Sequence, residues 1–197
     1  LYFPHKFLIK GFSTMFFKIL FYFSLFLTIS FSKDFDQQYI KYISKFNSNH
    51  SEKINNIINK NLLTHFPKYH KVLKPMILAQ CKVESDFLEK AIGDQGRSFG
   101  VMQVMLTTAR HLTIHFEPMK KYSKYSKDEL TNYLKTYEGS IEFGVSYLAF
   151  KKKYIKSKKS SDYGKFFKIF SLYNGGAYNF NYVDKVFNEA DKILINS

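Results

Sequence analysis

Hydrophobic side chains recur every three or four positions along most of the chain beyond residue 33, which is the spacing of one face of an α-helix. Between residues 34 and 46, for example, Phe35, Tyr39, Ile43 and Phe46 form an apolar stripe with spacings of 4, 4 and 3. No segment alternates apolar and polar residues over the length of a strand. The pattern predicts helices over residues 34–46, 51–62, 76–87, 107 or 108 onward, 126–134, 140–155, 162–173 and 183–195.

Helix-starting and helix-breaking residues set the expected boundaries of these segments. Ser51 is expected to cap the second helix, and Pro75 is expected in the first turn of the third. Ser126 and Glu129 have the spacing of a capping box. A loop or small β-hairpin is predicted near residues 91–103, because three glycines and Asp94 crowd there, and Gly175-Gly176 should end a later helix.

The first 32 residues differ from the rest, because they contain lysines but no acidic residue. An apolar stretch from Ile19 to Ile29 is followed by Ser30-Phe31-Ser32, which puts small residues at alternate positions. A basic start, a short apolar run and a small-x-small site are typical of a cleaved signal peptide. Export to the periplasm is therefore predicted, with an uncleaved inner-membrane anchor as the alternative, and with either Leu1 or Met15 as the start. The expected organisation is a leader over 1–32, a helical preface over 33–70 and a catalytic domain over 71–197.

Composition narrows the class of protein. Lys and Arg number 30 against 16 Asp and Glu, for a net charge of +14, while 45% of residues are hydrophobic. That is too apolar for intrinsic disorder. The single cysteine, Cys81, excludes an intramolecular disulfide and a thiolate zinc cluster. The charge points to an anionic partner, but nucleic acid is not expected, because nearly all of the basic residues are lysines and base readout favours arginine.

One carboxylate stands out from the apolar pattern. Ile77, Cys81, Glu84 and Leu88 are spaced as one face of a helix, so Glu84 is expected on an apolar face beside the glycine-rich loop. Loss of hydration there would raise its pKa, as a general acid working near neutral pH requires. The alternative is a glutamate at the edge of the stripe that reaches solvent.

Three sequence blocks carry a more specific signal. The first contains Glu84-Ser85, Phe87, Gly100-Val101-Met102-Gln103 and Thr108-Ala109; the second contains Ile141, Gly144, Tyr147 and Leu148; the third contains Leu172-Tyr173-Asn174-Gly175-Gly176 and Tyr182-Val183-x-Lys185-Val186. In this order and spacing they resemble the soluble lytic transglycosylase family of the goose-type lysozyme superfamily, over about residues 72–188. The sequence departs from the family pattern at Leu88-Glu89, Met105-Leu106, Ser140 and the slightly longer loop 93–98. These departures affect loop contacts rather than the class.

The resemblance implies a mainly α, lysozyme-like α+β fold, in which a helical bundle surrounds a catalytic cleft. It implies a peptidoglycan lytic transglycosylase that cleaves the β-1,4 bond between N-acetylmuramic acid and N-acetylglucosamine and leaves a 1,6-anhydromuramoyl product. Glu84 would be the single catalytic acid and base. Tyr173 and Asn174 would orient the acid and the muramyl N-acetyl group, Met102 and Gln103 would form the floor of the central subsites, and Tyr182 would be an aromatic wall. Ser98 is the remaining expected substrate-binding residue.

Other residues of the sequence suggest alternative roles. Asp94 could hold a water and make the protein a hydrolytic muramidase, although an aspartate there more commonly shapes a turn. His111 and His115 lack a third ligand at a diagnostic spacing, so no metal and no cofactor are expected. The lysines at 151–153 and 158–159 are expected to face solvent, where they could meet anionic wall polymers or a membrane surface, and Cys81 is expected to be buried.

The expected partner is the peptidoglycan glycan strand. A secretion or flagellar apparatus is a further candidate partner. The alternative to an enzyme is a non-catalytic wall-binding or scaffold protein.

Overall fold

The structure is a computed structural model that describes residues 35–153, 155, 162–175 and 179–195. The predicted signal peptide, Lys158-Lys159 and Gly176 lie outside these residues. The described part is a bundle of helices with one small antiparallel sheet, which confirms the expected mainly α, lysozyme-like class. None of its helices is long and apolar enough to cross a membrane.

Eight α-helices and three strands make up the described bundle. In chain order they are α1 (Phe35–Ser44), α2 (Ser51–His65), α3 (His70–Ser85), β1 (Ile92–Gly93), β2 (Ser98–Phe99), β3 (Val104–Met105), α4 (Leu106–His115), α5 (Lys127–Leu134), α6 (Tyr137–Lys152), α7 (Asp162–Tyr173) and α8 (Phe180–Ile195). Short 3₁₀ turns lie at Ser48–His50 and Glu117–Tyr122.

The first two helices pack into the same core as the rest of the described chain. Helix α2 lies against α3 and α6, and its apolar face is completely buried at Ile54, Ile58 and Leu62. The predicted cap at Ser51 is wrong, because Ser51 is already the first helical residue and its hydroxyl donates to the Ser48 carbonyl at 3.3 Å. The apolar spacing alone had located the helix.

Helix α3 starts well before the proline that was expected to begin it. The helix begins at His70, so Pro75 lies in its interior, and the prediction of a start at Pro75 is wrong. A proline there removes one intrahelical hydrogen bond. The helix continues past it because nine consecutive residues, from Leu73 to Cys81, are buried. Tertiary packing therefore outweighs the local cost.

The carboxyl end of α3 also differs from the predicted pattern. Asp86 and Phe87 both have positive φ, 54° and 61°, and the helix ends at Ser85. This reversal turns Phe87 into the core, where it is 0% exposed, and leaves Leu88 60% exposed. The prediction that Leu88 continues the apolar face is therefore wrong, and Glu84 lies in the last turn of the helix.

The glycine-rich segment forms the sheet. Strands β1, β2 and β3 pair antiparallel in sequence order, with Ile92 opposite Phe99 and Phe99 opposite Val104. The hairpin predicted near residues 91–103 is confirmed and gains a third strand at 104–105. The turn after β2 requires a glycine, since Gly100 has a φ of 74° and a Cβ there would lie 2.1 Å from the Leu134 carbonyl oxygen.

The remaining helices follow the prediction with shifted starts. The capping box at α5 is confirmed, with the Glu129 N–H donating to the Ser126 hydroxyl at 3.2 Å and the Ser126 N–H donating to the Glu129 carboxylate at 2.7 Å. Helix α6 begins at Tyr137, three residues before its predicted start, because Thr136 caps it through the Gly139 N–H. Helix α8 likewise begins at Phe180 rather than at residue 183.

Candidate active site

Glu84 is half-buried in the last turn of α3, close to the sheet. The Tyr182 hydroxyl, from the first turn of α8, donates a hydrogen bond of 2.6 Å to Glu84 Oε1. The next residue, Ser85, donates from its hydroxyl to the Val101 carbonyl at 2.9 Å. The end of α3 is thus tied both to α8 and to the loop between β2 and β3.

The surroundings of Glu84 favour its protonated form. Burial raises the pKa of Glu84 from its usual value near 4.5 to about 7. The Tyr182 hydrogen bond opposes this shift, because it stabilises the carboxylate, while the negative charge of Asp94 adds to it. A carboxyl group with a pKa near 7 can give up a proton and take it back at neutral pH.

Tyr182 is itself held in place by Gln80, one turn before Glu84 on α3. The Gln80 side-chain amide donates from Nε2 to the Tyr182 hydroxyl at 3.0 Å, and Gln80 is completely buried. Tyr182 was expected as an aromatic wall. The structure instead directs its hydroxyl at the carboxylate, and only 7% of the residue is exposed.

The motif residues Tyr173 and Asn174 lie at the end of α7. The Tyr173 hydroxyl donates to the Met102 carbonyl at 2.8 Å, and its ring packs edge-on against Tyr147 with centroids 5.4 Å apart. The direct hydrogen bond to the acid comes from Tyr182, and a role of Tyr173 in orienting the acid stays a prediction. Tyr173 is nevertheless a close neighbour, because burial and the charge of Glu84 both raise its pKa. Asn174 is exposed, and its side-chain oxygen accepts from Asn179 Nδ2 at 3.1 Å.

Three further predicted site residues, Ser98, Met102 and Gln103, lie in β2 and in the loop between β2 and β3. Met102 is completely buried, and its sulfur lies where a Cβ on Gly144 would be, at 2.4 Å. The Ser98 hydroxyl, also buried, donates to Gln103 Oε1 at 2.9 Å. Gln103 in turn donates from Nε2 to the Gly100 carbonyl at 2.8 Å. The side chains of Met102 and Ser98 are enclosed by protein. Contact of these three residues with substrate stays a prediction.

Asp94 lies on the exposed turn between β1 and β2. Its φ is 48°, and its backbone carbonyl accepts from Arg97 Nε at 2.9 Å. It shapes the turn through its backbone conformation and carbonyl. Its carboxylate is near enough for its charge to raise the pKa of Glu84.

The structure also describes the residues that the sequence suggested for other roles, namely the histidine pair, the cysteine and the lysine cluster. His111 and His115 are exposed on α4 with ring centroids 4.3 Å apart, and the described residues contain no group of three or more metal-binding side chains. Cys81 is buried, as expected, and burial raises the pKa of its thiol. Lys151 and Lys152, in the last turn of α6, lie over the rings of Tyr147 and Tyr69.

Two residues of the site were missed at the sequence level. Gln80 could have been noticed as a polar residue in the apolar run from Met76 to Cys81, placed four residues before Glu84. Tyr147 was identified only as a motif position. The sequence does not show the partner of either residue. Gln80 bonds to Tyr182, 102 positions away, and Tyr147 packs against Tyr173 in the next helix.

Comparison with known proteins gives one family. No curated protein and no solved structure matches the chain significantly. The family model described as the transglycosylase SLT domain matches residues 67–196. That range includes Glu84, the sheet and all of the residues described above. The chain therefore belongs to the transglycosylase SLT domain family, whose general activity is that of a lytic transglycosylase on peptidoglycan.

Proposed function

We propose that this protein cleaves the bond between N-acetylmuramic acid and N-acetylglucosamine in peptidoglycan, with Glu84 as its single catalytic acid and base and a 1,6-anhydromuramoyl end as product. The observation that carries the proposal is the environment of Glu84. It is a half-buried carboxyl group at a helix end, with a pKa raised to about 7 and one oxygen held by Tyr182. The family match supports the substrate class.

In the first step the protonated Glu84 gives its proton to the glycosidic oxygen. The bond between that oxygen and C1 of the muramyl residue breaks, and the leaving sugar keeps the electron pair. The N-acetyl oxygen of the muramyl residue stabilises the positive charge that develops at C1. Burial supports this step, because it keeps a large fraction of Glu84 protonated at neutral pH.

In the second step Glu84 acts as a base. Its carboxylate removes the proton from the 6-hydroxyl of the same muramyl residue, and that oxygen bonds to C1. This closes the 1,6-anhydro ring and returns Glu84 to its protonated form without adding water. The Tyr182 hydrogen bond supports this step, since it stabilises the carboxylate that exists between the two proton transfers.

The products released from purified peptidoglycan test the proposal. We expect the wild-type protein to release muropeptides with 1,6-anhydro ends, identified by mass spectrometry, and the Glu84→Gln variant to release none. Glu52→Gln is the matched control, because it removes the same charge at an exposed position in the first turn of α2 and should leave activity unchanged.

The other products identify the alternatives. Reducing ends would indicate a hydrolytic muramidase and would give Asp94 a role in holding the attacking water. If the wild type and Glu84→Gln both left peptidoglycan intact, the enzyme proposal would be overturned and a wall-binding or scaffold protein would be favoured.

We also propose that the protein is exported and acts in the periplasm, after cleavage behind Ser32. The support is the basic, then apolar, then small-residue pattern of the first 32 residues. The mass of the protein recovered from the periplasmic fraction tests it: a chain beginning at Lys33 is expected, and a membrane-bound, full-length chain would indicate an uncleaved anchor. A secretion or flagellar apparatus as partner stays a prediction.

A further inference from the structure

Three side chains form a buried hydrogen-bond chain that ends on Glu84. Gln80 Nε2 donates to the Tyr182 hydroxyl at 3.0 Å, and that hydroxyl donates to Glu84 Oε1 at 2.6 Å. Gln80 is completely buried, and among the described residues its other polar atom, Oε1, has no hydrogen-bond partner. A buried acceptor without a partner is costly, so its position beside a titrating group calls for a reason.

The direction of this chain is the one that an ionised Glu84 favours. A tyrosine hydroxyl has one proton, which it can give to one acceptor at a time. When Glu84 is ionised, the Tyr182 hydroxyl donates its hydrogen bond to the carboxylate. The hydroxyl oxygen is then free to accept from the Gln80 amide. The structure has the amide nitrogen of Gln80, rather than its oxygen, against the Tyr182 hydroxyl, as this arrangement requires.

A protonated Glu84 keeps one acceptor oxygen, but it also allows a second arrangement. The carboxylic acid now carries a proton of its own and can donate it to the Tyr182 oxygen. The tyrosine proton must then find another acceptor, and Gln80 is the side chain that already contacts this hydroxyl. An amide meets the need by rotating half a turn about its last side-chain bond, because its oxygen and nitrogen are nearly the same size.

We propose that the Gln80 amide reverses with the protonation state of Glu84, donating to Tyr182 when Glu84 is a carboxylate and accepting from Tyr182 when Glu84 is an acid. Gln80 is thus a positioning residue that acts through Tyr182, and its unpartnered oxygen is the acceptor used in the second state. The reversal itself requires only that Glu84 titrates; its use in catalysis rests on the proposed function.

The other described groups near Glu84 do not exchange hydrogen bonds with the Tyr182 hydroxyl in this way. Cys81, on the same helix, is a buried thiol, and Asp94, on the β1–β2 turn, contributes a repelling charge. The Tyr173 hydroxyl, from α7, is already bonded to the Met102 carbonyl. Among the described groups around Glu84, the Gln80 amide can be either donor or acceptor to Tyr182, which lets the Tyr182 hydroxyl bond to Glu84 both as an acid and as a base.

Nuclear magnetic resonance of the intact protein tests the reversal directly. With ¹⁵N-labelled glutamine, the Gln80 side-chain amide is followed from well below to well above the titration midpoint of Glu84. We expect one amide proton to have a hydrogen-bonded shift above the midpoint and to lose it below. The Glu84→Gln variant should show no such change, because it has no proton to exchange. An amide that keeps its hydrogen-bonded shift throughout the titration overturns the proposal.

Variants separate a positioning role from a merely structural one. Gln80→Met keeps the length of the side chain and removes both polar atoms. On a soluble glycan strand of defined length we expect about a tenfold lower kcat with little change in KM. In a Tyr182→Phe background the same substitution should have no further effect on kcat, because the connection to Glu84 is already absent. A further loss there would show that Gln80 acts through packing alone and would contradict the inference.

The two proposals fail independently. Reversal of the amide without cleavage of peptidoglycan would overturn the proposed function and leave the hydrogen-bond chain as described. Cleavage with an amide that never reverses would leave the function and overturn this inference.

Discussion

At the residue scale, the environment that prepares Glu84 for proton transfer also lowers the free energy of unfolding at alkaline pH. Its pKa of about 7 in the folded protein lies above the usual value near 4.5. The folded state therefore binds this proton more tightly than the unfolded chain does. That advantage is fully present below pH 4.5 and is lost as the pH rises through about 7.

The Glu84→Gln variant should be more stable than the wild type at alkaline pH. Glutamine has the same shape and no charge to bury, so the difference in the free energy of unfolding should grow between pH 4.5 and 7 and then level off on the order of 3 kcal/mol. Urea unfolding at several pH values measures it. Glu52→Gln provides the control, since it removes the same charge at an exposed position. A constant difference between the wild type and Glu84→Gln across the pH range would contradict the raised pKa of Glu84.

The sequence could predict Glu84 but not the group that holds it. An acidic residue on an apolar face next to a glycine-rich loop is visible in the local pattern, and the surrounding motif strengthens it. The Tyr182 contact spans 98 positions, and it depends on where α8 meets α3. Periodicity shows which face of a helix is apolar, but it does not show which distant hydroxyl reaches that face.

At the scale of elements, two glycines of similar conformation have different constraints. Gly96 and Gly100 both have positive φ, 85° and 74°, which side chains rarely adopt. A Cβ on Gly96 would meet nothing within 4 Å, whereas on Gly100 it would collide with the backbone of Leu134 and with Ser140. The Ser140 hydroxyl accepts from the Met102 N–H at 2.9 Å, so this close approach joins the loop between β2 and β3 to α6.

Substituting alanine at the two glycines separates conformation from close approach. Gly96→Ala should lower the free energy of unfolding by about 1 kcal/mol, the cost of a positive φ alone. Gly100→Ala should lower it by about 3 kcal/mol or more, because backbone must move, and should reduce activity as well. Chemical denaturation of both variants measures the difference. Equal losses would mean that the contact of Gly100 with Leu134 is not tight in solution.

Element positions were more predictable than element boundaries. The apolar spacing located each of the helices of the described part, because a buried face leaves a period in the sequence. The errors fall where packing overrode a local signal. Pro75 lies inside α3 because the residues around it are buried, and the chain leaves the helix at Asp86 because two positive φ angles bring Phe87 into the core.

At the scale of the whole molecule, the chain before the family match is part of the core. The match begins at residue 67, yet α1 and α2 lie before it. Helix α1 is joined to α3 by the Asp36–Lys74 ion pair and to α8 by the Tyr42 hydroxyl, which donates to Glu189 at 2.7 Å. The sequence suggested an accessory preface, because its asparagine and lysine content hides how completely its apolar face is buried.

A chain that begins at residue 67 should therefore fail to fold cooperatively. It would lose the buried side chains of Ile43, Ile54, Ile58 and Leu62, each of which contributes about 1.5–3 kcal/mol by burial. It would also leave Lys74, which is 4% exposed, without its carboxylate partner. Together these losses are comparable to the whole stability of a typical domain, about 5–15 kcal/mol.

Thermal unfolding and peptidoglycan cleavage test this with two truncations. A chain beginning at residue 34 keeps every described helix and should unfold in one sharp transition and remain active. The chain beginning at residue 67 should show no such transition and no cleavage, because α3 would present a bare apolar face where α2 packs. Cooperative unfolding of the shorter chain would show that the matched region is self-sufficient. Folding without cleavage would mean instead that α1 and α2 serve to hold Glu84 in place.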